Sequence, residues 1–173
     1  MSGGTLMAIG AHADDIELDV GGTLLKYRDQ GYDIAYVMST DNMSGKISVC
    51  KPCGRIEKLA PGYHELMPLR KREAEAGASF LGTTPIHLDL PQRHYRDEFG
   101  VLHEAGYGVP CPTHVRPGSP TILTAHEHDS EIHRLAELML DYKAEAILTH
   151  GNLGENLEHI ATCLLVTKAY HAA

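Results

Sequence analysis

Two short apolar runs separated by a helix-forming segment open the chain, and this pattern constrains the fold more than any other feature. The runs cover residues 5–11 and 33–40, a length suited to buried parallel strands. Residues 23–28 between them have helical character and precede Gly31, a residue type that commonly closes helices. A strand, a helix and a second strand in this order predict an α/β fold with a right-handed crossover.

Elements of the same kind continue along the chain. We predict three further helices and two further strands, the helices at 66–81, 130–142 and 156–170 and the strands at 85–90 and 145–149. Two segments with proline and glycine, at about 41–63 and 91–120, interrupt the pattern and predict long loops. At 173 residues the chain suits a single domain, since it is too short for two comfortable ones.

Charge and composition restrict the classes of partner. The formal net charge of -8 argues against nucleic acid, because a phosphate backbone attracts a basic surface, and against anionic lipid headgroups. We see no apolar stretch of membrane-spanning length and no basic-then-apolar leader at the N-terminus. The 4 cysteines are too few for a disulfide scaffold. We therefore expect a protein of the reducing cytoplasm, with no membrane partner.

Polar clusters follow two of the predicted strands, at the points where the strands end. Residues 12–15 come directly after the first strand, and residues 150–159 come after the fourth. Because the carboxyl ends of parallel strands meet at one edge of a sheet, where ligands bind, both clusters should lie at the same edge. The sequence therefore places metal-binding types of side chain together.

His12, Asp15 and His159 are the candidate zinc ligands within these clusters. Imidazole nitrogens and carboxylate oxygens are good zinc donors, and three protein ligands leave a fourth position open for water, as in catalytic zinc sites. Zinc lowers the pKa of a bound water to roughly 7, which makes it a nucleophile at neutral pH. The alternative for His159 is a solvated position on a helix.

Acidic residues beside the candidate ligands suggest supporting roles. Asp14 is the neighbour of a ligand and suits the general base for the attacking water. Glu17 and Asp19 are candidates to orient ligand imidazoles as hydrogen-bond acceptors. Asp14 could instead cap the helix that follows.

Several collinear motifs in the chain resemble those of the LmbE-like, or PIG-L-like, N-deacetylases. The segment AHADDIE at residues 11–17 resembles the family's Ala-His-Pro-Asp-Asp-x-Glu signature. Further matches follow in order, at Ser-Thr-Asp 39–41, Arg-Lys-Arg-Glu 70–73 with Leu-Gly 81–82, Ile-Leu-Thr-His-Gly 147–151, and Glu-His-Ile-Ala-Thr 158–162. The resemblance covers nearly the whole chain.

The resemblance implies a Rossmann-like three-layer α/β fold with a mainly parallel sheet. It also implies zinc-dependent hydrolysis of the N-acetyl group of a small-molecule amino sugar of the N-acetylglucosamine type. By position it makes His12, Asp15 and His159 the zinc ligands and Asp14 the general base. Arg72 falls where the family has a substrate-contacting arginine. Removal of a longer acyl group on the same scaffold is a second hypothesis.

The chain departs from the family pattern at several positions. Ala13 replaces a proline, and Glu158 replaces an aspartate that holds the neighbouring histidines. Asn156 stands where family members have a histidine that stabilises the transition state, and asparagine can donate a hydrogen bond there but cannot carry a proton. The chain ends at Ala173, where family members continue, so the fold is either C-terminally truncated or completed by a partner, as in a homo-oligomer. A non-catalytic metal-binding protein or subunit is therefore the alternative function.

A second group of metal-binding residue types lies in the two long loops. Cys50 and Cys53 form one pair with zinc-knuckle spacing, and Cys111 and His114 form another. Together they predict a structural zinc site with three cysteines and one histidine. Unrelated free thiols, or a redox-active pair at Cys50 and Cys53, are the alternatives.

Overall fold

A computed structural model describes residues 3–104, 120–154 and 156–173 of the chain. Its strands are β1 (Thr5–Gly10), β2 (Asp33–Thr40), β3 (Ile47–Cys50), β4 (Ile56–Leu59), β5 (Pro85–Leu90), β6 (His94–Arg96), β7 (Leu102–Glu104) and β8 (Ala144–Thr149). Its helices are α1 (Asp15–Asp19), α2 (Gly21–Asp29), α3 (Tyr63–Phe80), α4 (Ile122–Ala125), α5 (Asp129–Asp141) and α6 (Leu157–Ala172). Within these ranges no helix has both the length and the apolar character needed to cross a bilayer.

Four parallel strands form the central sheet, in the order β5-β2-β1-β8. On one side of β1 the register runs from Thr5 opposite Asp33 to Gly10 opposite Met38 of β2. On the other side β1 pairs with β8, ending with Ile9 opposite Thr149. The carboxyl ends of β1, β2 and β8 therefore lie at the same edge of the sheet.

Apolar side chains of β1 alternate between two separate cores. Met7 and Ile9 pack with the buried residues of α4, α5 and α6, whereas Leu6 and Ala8 pack with those of α1, α2 and α3. Because both faces of the sheet are covered, its inner strands are continuous apolar runs. The predicted three-layer α/β architecture, Rossmann-like with a parallel central sheet, is confirmed.

Each of the two predicted loop segments contains a short antiparallel hairpin. The hairpin of β3 and β4 lies within residues 41–63, and that of β6 and β7 lies within residues 91–120. Their strands are three or four residues long, and β4 and β7 are exposed throughout. Without a buried face, β4 and β7 carry no alternation of apolar and polar residues that would reveal them in the sequence, and β3 and β6 are too short to stand out. Residues 105–119 lie outside the described residues.

Shortening Leu135 on the buried face of α5 should destabilise the fold. Leu135 is fully buried, and the cavity left by Leu135→Ala should cost about 2–5 kcal/mol of unfolding free energy. Leu140→Ala is the matched control, because Leu140 lies on the same helix with 57% of its surface exposed and should change stability by less than about 0.5 kcal/mol. Urea unfolding measures both variants, and equal losses would contradict the assignment of this helix face to the core.

Candidate active site

Side chains from β2 and the residues just after it hold the loop that follows β1. The Thr40 hydroxyl donates to the Ala11 carbonyl at 2.6 Å, and the Tyr36 hydroxyl lies 2.9 Å from the Ala13 carbonyl. The Asn42 side-chain oxygen accepts the backbone N–H of Ala13 at 3.1 Å. Asn42 itself has a φ of 56°, in the left-handed region that asparagine tolerates better than most residues. These bonds fix the path of residues 11–14 at the sheet edge.

The structure brings His12, Asp15 and His159 together at this edge. His12 Nδ1 lies 3.2 Å from Asp15 Oδ2 and 3.2 Å from His159 Nε2, and His159 Nε2 lies 3.3 Å from Asp15 Oδ1. Zinc sites are tetrahedral with ligand distances near 2.0 Å, so neighbouring donor atoms are about 3.3 Å apart. The three side chains therefore have donor types that suit zinc, and one ligand atom from each lies within 4.8 Å of the other two.

Glu158 fixes the far side of the His12 ring. Its Oε2 lies 2.5 Å from His12 Nε2, so that Nδ1 faces Asp15 and His159. The carboxylate is in turn bound by the Gln92 amide at 3.1 Å and by the backbone N–H of Arg93 at 2.6 Å. A glutamate here thus makes the histidine contact that the resemblance attributes to an aspartate.

The two carboxylates change the charge state of His12. Burial by itself lowers the pKa of His12, but the hydrogen bonds and negative charges of Asp15 and Glu158 outweigh burial and raise it to about 9. Burial raises the pKa of each carboxyl, but the bonds and charge of His12 dominate and hold both well below their usual range. In the metal-free protein at neutral pH, His12 is therefore an imidazolium ion between two carboxylates.

His150 is a member of this cluster that the sequence reasoning did not single out as a site residue. The backbone N–H of Ala11 donates to its Nε2 at 2.9 Å, and Nε2 lies 3.1 Å from Asp15 Oδ2. Its ring stacks on that of His159, with centroids 3.8 Å apart and an angle of 10° between the planes. The signal was present, because His150 directly follows the β8 strand at the same sheet edge as His12.

A cavity of about 600 Å³ opens beside the cluster, with Asp14 on its wall. Asp14 occupies the N-cap position of α1, yet its exposed side chain makes no capping hydrogen bond within the described part of the chain. The rest of the wall combines the apolar or small residues Ala13, Leu18 and Gly45 with polar side chains from distant segments, namely His12, Glu17, Asn42, Ser44, Arg70, Glu73 and Gln92. Asp14 and His12 therefore line the same cavity.

The arginine that lines this cavity is Arg70. Its guanidinium donates to the Lys46 carbonyl at 2.9 Å and pairs with Glu73. Arg72, the arginine expected from the resemblance, is exposed on α3 and is absent from the described lining of the cavity. Two residues along a helix correspond to a rotation of about 200°, so Arg70 and Arg72 lie on nearly opposite faces of α3. Packing of α3 against the sheet therefore directs only Arg70 into the cavity.

Asn156 supports the site through the backbone. Its side-chain oxygen caps α6 by accepting the N–H groups of Glu158 at 2.9 Å and His159 at 3.4 Å. Asn156 lines a smaller neighbouring cavity with Arg93, His94, Leu157 and Glu158. The structure therefore shows it holding the start of the helix that carries two site residues.

The other two acidic residues have different partners from those expected. Both carboxylate oxygens of Glu17 lie 2.9 Å from the Tyr36 hydroxyl. Asp19 is exposed, and its negative charge acts on His159 electrostatically. The carboxylates that contact the His12 imidazole are those of Asp15 and Glu158.

The stability of the metal-free protein should depend on the charge of His12. Because the pKa of His12 rises on folding from 6.5 to about 9, its pairing stabilises the fold fully below pH 6.5, and this contribution is lost as the pH rises through 9. Glu158→Gln removes one partner and should flatten that decline, whereas Glu57→Gln at an exposed ion pair should not. Urea unfolding of the chelator-treated proteins from pH 6 to 9.5 measures this decline in the free energy of unfolding. Identical pH profiles for the unsubstituted protein and Glu158→Gln would contradict the assignment.

Solved structures with the same fold include enzymes of more than one activity. The teicoplanin-pathway deacetylase aligns with a TM-score of 0.62 at 17% identity, over 97% of this chain and 63% of its own. The 4-carboxy-2-hydroxymuconate hydratase GalB from Pseudomonas putida aligns with a TM-score of 0.60 at 16% identity, over 96% of this chain and 55% of its own. At such identities the likeness shows the fold alone.

Sequence relatives share part of their length with this chain. Diacetylchitobiose deacetylase from Thermococcus kodakarensis is 32% identical over 82 residues, which is 47% of this chain and 27% of that enzyme. A 1D-myo-inositol 2-acetamido-2-deoxy-alpha-D-glucopyranoside deacetylase from Catenulispora acidiphila is 24% identical over 148 residues, or 85% of this chain and 44% of that enzyme. The chain thus spans less than half the length of either relative. The PIG-L family profile, described as GlcNAc-PI de-N-acetylase, matches residues 7–170, and the chain therefore belongs to the PIG-L family.

Proposed function

We propose that this protein is a zinc-dependent hydrolase that removes an N-acetyl or other N-acyl group from an N-acetylglucosamine-type amino sugar or glycoconjugate. The observation that carries the proposal is the convergence of His12, Asp15 and His159, with His12 and Asp14 both on the wall of the adjoining cavity. Membership of the PIG-L family and the names of the two sequence relatives, both deacetylases, support the same activity.

His12 Nδ1, His159 Nε2 and a carboxylate oxygen of Asp15 are the proposed zinc ligands. When bound there, zinc supplies a Lewis acid for the acyl oxygen and lowers the pKa of water. Glu158 keeps Nδ1 of His12 directed inward by holding Nε2. The ring of His150 supports His159 by stacking on it.

Asp14 is the proposed general base. Its carboxylate lies on the cavity wall within the same loop as His12, where it can take a proton from the attacking water and pass it to the leaving amine. For Asn156 we propose a positioning role rather than a catalytic one, because its oxygen is engaged by the N-terminus of α6.

Polar groups around the cavity suit a ligand with many hydroxyl groups. Asn42, Ser44, Arg70 and Gln92 all line it, and each offers hydrogen-bonding atoms to a sugar ring. Arg70 takes the substrate-contacting role for which the resemblance suggested Arg72.

A non-catalytic metal-binding protein is the second candidate function. The asparagine at position 156 favours it, because this side chain cannot take or give a proton. Zinc occupancy without turnover of any N-acyl sugar would support it. The compounds tested for turnover should include 4-carboxy-2-hydroxymuconate as well as N-acyl sugars, since a hydratase named for that compound shares the fold.

Removing the base and removing a ligand should have different effects. Asp14→Asn should keep zinc but lower kcat by about 10²–10⁴-fold, the usual contribution of a positioned general base. Asp15→Ala should lose the zinc ion of the His12 centre together with activity. Acetate release from diacetylchitobiose and N-acetylglucosamine, together with metal content, measures both. Asp29→Asn, at an exposed surface pair, is the control and should leave kcat and zinc unchanged. Full activity of Asp14→Asn would refute the assigned base.

The two arginines of α3 provide a matched test of the substrate contact. Arg70→Ala should raise KM about tenfold or more, since a hydrogen bond to a charged group contributes roughly 1.5–3 kcal/mol. Arg72→Ala should leave KM within about twofold, the size of an ordinary surface change. Steady-state deacetylation kinetics on both variants separate the two assignments. The reverse result would make Arg72 the substrate contact.

A further inference from the structure

The tip of the β3–β4 hairpin carries two cysteines in a tight turn. Cys50 is the last residue of β3, and Cys53 lies in the turn that leads to β4. The backbone N–H of Lys51 donates to the Arg55 carbonyl at 2.9 Å, and that of Gly54 donates to the Lys51 carbonyl at 2.8 Å. Gly54 has a φ of +79°, a left-handed conformation that permits the sharp turn after Cys53. Both thiols are exposed and free.

This hairpin has little apolar support. Every residue of β4 is exposed, and Ile56 has 70% of its surface accessible. The ion pair between Lys51 and Glu57, at 2.6 Å, is itself exposed, and such pairs contribute little. An isolated two-stranded hairpin is at best marginally stable in water. We therefore expect a further interaction to stabilise the turn between β3 and β4.

Arg55 supports a negatively charged sulfur at Cys53. Its backbone N–H and its side chain both hydrogen-bond to the Cys53 sulfur. Its positive charge offsets part of the negative charge that two thiolates would place on one divalent ion, whereas Lys51 is already paired with Glu57.

We propose that Cys50 and Cys53 bind a structural zinc ion at the tip of this hairpin, separate from the His12 centre. Two cysteines with two residues between them, followed by a left-handed glycine, provide half of a tetrahedral zinc site. The other pair in the sequence with this spacing, Cys111 and His114, lies outside the described residues.

Zinc at the tip would also fix one wall of the large cavity. Ser44 and Gly45 line that cavity, and Lys46 accepts a hydrogen bond from Arg70 immediately before β3 begins. A hairpin held at its tip therefore holds these residues at its base. This role is independent of the chemistry at the His12 centre.

Metal content of the full-length protein, purified with reductant and supplied with zinc, tests the proposal. Asp15→Ala, which removes a ligand of the His12 centre, should retain one zinc ion per chain. Adding Cys50→Ser and Cys53→Ser to that variant should abolish zinc binding, whereas adding Cys163→Ser, a cysteine on α6, should not. Cobalt substituted for zinc in Asp15→Ala should show thiolate charge-transfer absorption that the Cys50→Ser, Cys53→Ser combination lacks. Complete loss of zinc in Asp15→Ala alone would overturn the proposal while leaving the hydrolase assignment intact.

A second measurement needs no substitution and remains informative where the serine variants misfold. Zinc should slow alkylation of Cys50 and Cys53 by iodoacetamide at least tenfold, as followed by peptide mass, and a chelator should restore the rate. The alkylation rate of Cys163 should not respond to zinc. Equal rates for Cys50 and Cys53 with and without zinc, or a Cys50–Cys53 disulfide in protein freshly purified without oxidant, would overturn the assignment.

Discussion

The parallel pairing of β1 with β8 is the constraint on which the candidate active site depends. Ile9 near the end of β1 lies opposite Thr149 at the end of β8, so the loops that follow these strands leave the sheet side by side. One loop carries His12 and Asp15, and the other leads into the helix that carries His159. The chain continues from β1 to β2 on one side, while β8 lies on the other. The order of the strands reverses there, and open α/β sheets bind ligands at such a reversal.

The buried charges of the site balance one another. A buried charge is tolerated only with partners, and the carboxylates of Asp15 and Glu158 both contact the imidazole of His12. With His12 protonated, the cluster holds one positive and two negative charges. A divalent cation that displaces the proton from His12 would balance both carboxylates. The network that raises the pKa of His12 in the absence of metal thus also favours a doubly charged ion in place of the proton.

The strands with buried residues could be predicted from the sequence better than the exposed ones. The bounds of β2 and β5 agree with those expected from the sequence. β2 is a nearly continuous buried run because helices cover both faces of the sheet, whereas β5, at the sheet edge, alternates apolar residues with His87 and Asp89. The β3–β4 hairpin was missed, since β3 has only four residues and β4 has no buried face that would leave a periodic pattern. In the site, His12, Asp15 and His159 could be recognised because their residue types and their positions after predicted strands indicate metal binding.

The sequence by itself determined the fold class, the family and the set of metal-binding residue types, because each depends on residue types and their order along the chain. Only the tertiary structure decided the partners of those residues. It placed Glu158 against His12 Nε2, stacked His150 on His159, and directed Arg70 rather than Arg72 into the cavity. The reason is geometric: the rotation of a helix about its axis, and the side chain that consequently faces a distant loop, are set by packing against the sheet. Spacing within a single segment does not encode that rotation.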